Sequence, residues 1–172
     1  MANLELRMLG LLQVAVVMIV ALPMALSVAH ALELPGKMRL DERTYRAVQH
    51  IYYPGFTIGG AAEPLSIIVT GLLLFLVPAG TAAFWLVMVA FVALLATVAI
   101  YWIAVHPINK YWMEDAAAGV FGASFFSAGG KRDGPQANWT ELRDRWEYAH
   151  VARAVLTSVG LLALVISLVV QT

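Results

Sequence analysis

Cysteine is missing from this 172-residue chain, and charge is scarce: only 13% of residues are Asp, Glu, Lys or Arg. Without cysteine there is no disulfide, thiolate metal site or Cys-ligated iron–sulfur cluster, and no haem attached through a C-x-x-C-H motif. The scarcity of charge stands against 61% hydrophobic residues and a mean hydropathy of +0.78. It excludes an ordinary soluble domain, in which roughly a quarter of residues are charged. Eleven basic residues balance eleven acidic ones, so no net field draws nucleic acid or an acidic partner. The chain reads as an integral membrane protein, with the lipid bilayer as its first partner.

What is abundant is long apolar sequence. Four segments can span roughly 30 Å of hydrocarbon at ~1.5 Å per residue: about 8–31, 58–77, 82–105 and 146–170. Pro78-Ala79-Gly80 is the turn between the second and third, and His106-Pro107 stops the third. Ala29-His30-Ala31 has the form of a signal-peptide cleavage site. The apolar run before it is longer than a usual signal sequence, so it is read as a retained helix. The fold class is therefore all-α: a four-helix transmembrane bundle forming a single domain over 1–172, with two long loops on one face. Ten of the eleven basic residues lie on the side of those loops, and only Arg7 lies on the other. The positive-inside rule then puts the loops in the cytoplasm and the termini outside. On this reading the protein belongs to a bacterial plasma membrane.

The first loop contains a short interfacial helix at about 41–53, with Asp41 as N-cap and Pro54-Gly55 as stop. Arg43, Arg46 and His50 share one face, and Tyr45, Val48 and Tyr52 the opposite one, which would lie in the headgroup layer. The second loop has an apolar stretch, 116–128, that reads either as a membrane-resting lid or as plain surface loop.

All four histidines fall at one level. His30 and Glu33 close the first span, His50 lies in the first loop, His106 closes the third span, and Glu147 and His150 open the fourth. Glu63 opens the second span and sits deeper; with Pro64 behind it, it can also serve as a helix cap. Ionisable groups near a bilayer are costly and tend to mark function. Glu147-x-x-His150 places both side chains on one helix face, the spacing used by bundle-core di-iron carboxylate sites. His30, Glu33, His50, Glu63 and His106 could complete a nitrogen and oxygen shell, suited to a metal such as iron or copper. Haem between two histidines, such as His30 or His106 with His150, is a variant. A third alternative needs no metal: histidine as a base acting on a phenol or enol. The plain reading of the same residues is interfacial ion pairs, for example Glu147 with Arg143 at i, i+4.

The stretches AHALELPGKMRLD (29–41), VQHIYYPGF (48–56), Glu63-Pro64, HPINKYW (106–112) and RWEYAHVARAVL (145–156) resemble the anthrone oxygenase-like family of small four-helix membrane proteins. The resemblance spans nearly the whole chain. It implies dioxygen-dependent oxidation of an anthrone-type substrate, with Glu63, His106, Asn109, Trp146, Glu147, His150 and Arg153 as the core set. On this reading Glu63, His106, Glu147 and His150 are catalytic, while Asn109, Trp146 and Arg153 bind ligand or cofactor.

Together these point to a membrane-embedded oxidoreductase acting on a hydrophobic aromatic or quinone-like small molecule. The alternative is a non-catalytic accessory subunit docked in a larger membrane complex or a homo-oligomer. Transport fits less well, because only one end of the helices is polar.

Overall fold

Why the helices end where they do decides what reaches the site. The computed structural model describes residues 2–52, 54–113 and 138–170, and among these every regular element is helical. In chain order they are α1 (Ala2–Lys37), α2 (Glu42–Gln49), a 3₁₀ turn (His50–Tyr52), α3 (Gly55–Gly60), α4 (Ala62–Leu76), α5 (Ala82–Ile100), a π-helical turn (Tyr101–Val105), α6 (His106–Met113) and α7 (Trp139–Val169). Four stretches, Arg7–Lys37, Ile58–Leu76, Ala82–Asn109 and Trp139–Val169, are long and apolar enough to cross a membrane. α1, α4, α5 and α7 close a ring in which each packs on its neighbours, and α1 lies against α7.

Two expected helix ends are overrun. α1 continues through Pro35 to Lys37, and the third span continues through Pro107 to Met113. Proline lacks an N–H and so frees the carbonyl four residues back. Pro107 frees that of Ile103, and Arg145 Nη2 from α7 donates to it at 2.8 Å. Pro23, inside α1, frees that of Ile19, which takes a long 3.5 Å bond from Ser66 Oγ of α4. The π turn absorbs the remaining distortion, with the His106 N–H donating to the Tyr101 carbonyl five residues back. Within a bundle, then, a proline need not end a helix if a facing helix supplies the donor.

Other boundaries follow local chemistry. Asp41 caps α2, its carboxylate accepting from the Thr44 N–H at 2.8 Å. Those bonds hold the exposed Asp41 carboxyl below its usual pKa. Between α4 and α5 the chain turns at Gly80, φ +83°, and Thr81 caps α5. Asn138 caps α7, which begins at Trp139, a full two turns earlier than the apolar run. The proposed lid, 116–128, lies outside the described residues.

The interior has two parts. An aliphatic core of Val16, Val20, Leu73, Val87, Leu94 and Leu164 fills the half far from the long loops. An aromatic core of Tyr45, Tyr52, Trp112 and Trp146, with Val105 and Ile108, fills the loop end. α2 lies across that end. Its tyrosine face turns inward onto the bundle, rather than resting in the headgroup layer as the sequence suggested.

Candidate functional site

At ~1.5 Å per residue, the 36-residue α1 is about 54 Å long and the 31-residue α7 about 46 Å. Both exceed the hydrocarbon thickness of roughly 30 Å, so their ends at the loop face rise beyond the shorter α4. Between those ends sits a charged cluster built around two cations.

Lys37, in the last turn of α1, is the first. Its side chain is only 4% exposed, and its Nζ lies 3.0 Å from Glu33 Oε2, 3.3 Å from His30 Nδ1 and 3.5 Å from both oxygens of Glu147. The same ammonium lies over the rings of Tyr52 and Trp146. Each of its two carboxylates also accepts from a tyrosine: Tyr45 donates to Glu147 at 2.8 Å, and Tyr52 donates to Glu33. Burial, and then the neighbouring carboxylates, push both phenols well above the usual tyrosine range. Both remain protonated donors at neutral pH.

Arg153 of α7 is the second cation. It pairs with Glu63 of α4, donates from Nη1 to His150 Nδ1 at 3.2 Å, and lies over the Tyr101 ring at 5.3 Å. His30 and His150 join the two cation centres, their rings tilted against one another at a centroid distance of 4.3 Å. Lysine and arginine can only donate, so Nδ1 is the acceptor on both imidazoles and the ring proton belongs on Nε2. The Nε2 of His150 is buried and has no hydrogen-bond partner among the described residues. Tyr52, Phe56 and Trp146 wall the pair with aromatic rings.

The sequence-derived candidates divide on this geometry. His30, Glu33, Glu63, Glu147, His150 and Arg153 come together. Asn109 and Trp146 are at the site in a different sense: Asn109 Oδ1 accepts from Trp146 Nε1 at 2.7 Å and sets the indole against both imidazoles. His106 packs on Trp102 and Tyr101, one ring removed from Arg153. His50 is exposed on the 3₁₀ turn. Two expected pairings are replaced. Glu63 is not the cap of α4, whose helix starts before it at Ala62; it meets Arg153. Arg143 pairs with Asp144 at 2.7 Å and leaves Glu147 to Lys37 and Tyr45.

Among the described residues no three His, Asp or Glu side chains are grouped to hold a metal ion. Lys37 Nζ occupies the point on which His30, Glu33 and Glu147 converge, so a protein cation stands where the metal was expected. His30 and His150, one of the histidine pairs considered for haem, lie ring against ring with centroids 4.3 Å apart. Lys37, Tyr45 and Tyr52 were absent from the sequence-derived set. The spacing Glu33-x-x-x-Lys37 was the available signal, since i, i+4 partners share a helix face.

Fold and site together define a small integral membrane protein with a doubly cationic, aromatic-walled cluster at one end of a four-helix bundle. The sequence matches the anthrone oxygenase family over residues 49–163 of its 172, and the chain belongs to that family. No curated protein and no solved structure matches it. The matched segment contains Glu63, His106, Asn109, Trp146, Glu147, His150 and Arg153. The α1 contribution of His30, Glu33 and Lys37 lies before it.

Proposed function

We propose that the protein is a membrane-embedded oxidoreductase of oxygenase type, oxidising a flat, hydrophobic, oxygen-bearing aromatic molecule at the Lys37–Arg153 cluster. The observation that carries this reading is the buried, unpartnered Nε2 of His150 between two cations and a wall of aromatic rings. A buried N–H without an acceptor is costly, and an oxyanion of a bound substrate would satisfy it.

The chemistry such a site can perform is proton removal followed by stabilisation of the resulting anion. A phenol or an enolisable ring ketone that loses a proton becomes electron-rich enough to reduce dioxygen. The carboxylates Glu33, Glu63 and Glu147 are candidate proton acceptors, and Lys37, Arg153 and the His150 N–H are donors for the developing oxyanion. For an anthrone the balance is simple: one dioxygen is consumed, the ring methylene becomes a carbonyl, and one water leaves. Membership of the anthrone oxygenase family supports this class of substrate.

The test is oxygen uptake and quinone absorbance with an anthrone, using protein purified in detergent. His150→Ala and Glu147→Gln are expected to lower both to the spontaneous rate while the helical signal persists. Wild-type protein no faster than empty micelles would end the reading. Metal analysis belongs beside it. Because Lys37 holds the cation position, we expect less than one metal ion per chain, unchanged in His150→Ala. Stoichiometric metal lost in that variant would restore the metal-dependent alternative.

A further inference from the structure

A groove of about 570 Å³ opens between the end of α1 and α2, over the charged cluster. Its sides are apolar: Leu32, Leu40, Val48 and Ile51, of which Leu32 and Ile51 are 76% and 70% exposed. Its remaining lining includes Glu33, Lys37 and Tyr52, so the groove reaches the Lys37 half of the cluster. Of the three clustered carboxylates, Glu33 is the accessible one. Its side chain is 41% exposed, against 15% for Glu63 and 0% for Glu147.

Resting on the oxygenase reading above, we propose that this groove is the substrate site, and that its occupant is a flat apolar molecule bearing one acidic O–H, a phenol or the enol of a ring ketone. The molecule gives its proton to Glu33 and holds its oxyanion against Lys37. The substrate O–H bond breaks, a new O–H bond forms on Glu33, and the electron pair stays on the substrate oxygen. No oxidant enters this step.

Three features fit that occupant. The apolar sides suit a ring system arriving from the bilayer, whereas a strongly polar metabolite would leave Leu32 and Ile51 uncovered. Glu33 and Glu147 share one ammonium, so this corner of the cluster carries one negative charge in excess, which a proton arriving on Glu33 offsets. Transfer to Glu33 moves that charge onto the substrate oxygen beside Lys37, and no additional charge is buried, which is the expensive step in a low-dielectric site. Once protonated, Glu33 loosens its hold on Lys37 and frees an ammonium hydrogen for the oxyanion.

The probe is 2-naphthol, whose neutral and anionic forms differ in absorbance and fluorescence. It is titrated against the full chain in detergent at neutral pH, with empty micelles as control. We expect wild-type protein to raise the anionic fraction about tenfold. Glu33→Gln removes the proton acceptor and keeps the ammonium, so it should bind and ionise the probe at least as well while its oxygen uptake from an anthrone falls about tenfold. Ile51→Trp, which fills the groove and leaves the cluster intact, should weaken binding about tenfold. A probe that stays neutral on wild-type protein, or binds Ile51→Trp unchanged, overturns the inference. Oxygen uptake that survives in both variants would overturn the groove and leave the oxygenase intact. Ionised naphthol without oxygen uptake from an anthrone would leave the groove standing and remove the oxygenase.

Discussion

Replacing Lys37 by methionine keeps the length of the side chain and removes its charge. Glu147, whose side chain is fully buried, would then keep only the Tyr45 hydroxyl among the described residues. Breaking a buried ion pair by removing one partner costs about 3–5 kcal/mol, and thermal unfolding in detergent should show the loss directly. A Lys37→Met protein as stable as the parent would mean that Glu147 is held in a neutral form by other contacts. The tyrosines give a second prediction. Tyr45 and Tyr52 have pKa values raised above those of the unfolded chain, where tyrosine titrates at about 10. Their contribution is therefore complete below about pH 10 and is lost as pH rises beyond it, because the unfolded chain ionises first. Alkaline unfolding should be shallower in Tyr45→Phe than in the parent, although Tyr45→Phe starts lower by about 1.5–3 kcal/mol for the lost bond to a carboxylate. Stability measured from pH 8 to 11 in both proteins settles the sign. Equal slopes would assign the alkaline transition to other groups.

At the scale of elements, the exchange between Pro107 and Arg145 is the feature most open to test. Arg145→Met should leave the Ile103 carbonyl without its donor, destabilise the π turn and shift Asn109 away from Trp146. Pro107→Ala restores an N–H four residues beyond Ile103, so the double variant should recover most of the loss. Additive effects in the double-variant cycle would show that the two residues act independently. The same exchange marks the limit of sequence reading here. The four spans were legible because apolar runs of bilayer length report themselves, and Asp41 was legible because a cap acts within three residues. The true ends of α1 and of the third span were not. Pro35 is carried inside α1, and the carbonyl freed by Pro107 is met from another helix, a relation between Ile103 and Arg145 that no local window contains. Misplacing the end of α1 hid Lys37, which then looked like one more basic residue at a membrane face. The common layer of His30, Glu147 and His150 was legible, because helix length fixes depth, whereas Glu63 was expected deeper and Arg153 entered through the family resemblance. Which partner each would choose was not, because α2 folds back over the bundle and brings two tyrosines into the contest.

For the molecule as a whole, the distribution of basic residues predicts an orientation in the membrane, with the long loops inside. The absence of cysteine makes it directly measurable. Single cysteines at Arg43 on α2 and at Ala79 in the turn before α5 are both exposed positions, on opposite ends of the bundle. An impermeant thiol reagent added to intact cells should label Ala79→Cys and spare Arg43→Cys until the membrane is opened. The reverse pattern would place the cluster on the outer face and show that its cations answer to the site rather than to topology.

α7 is connected to its neighbours in two opposite senses. It offers a carboxylate, Glu147, to the lysine of α1, and a guanidinium, Arg153, to the glutamate of α4. Seen as a nascent segment, α7 carries two unmatched charges that a bilayer would resist one at a time. Chain order resolves the difficulty. α1 and α4 are synthesised before α7, so both counter-charges are already in the membrane when it emerges, and its insertion is at once its assembly. Production of α7 without the preceding helices should leave it at the membrane surface, and co-expression of the missing part should draw it in.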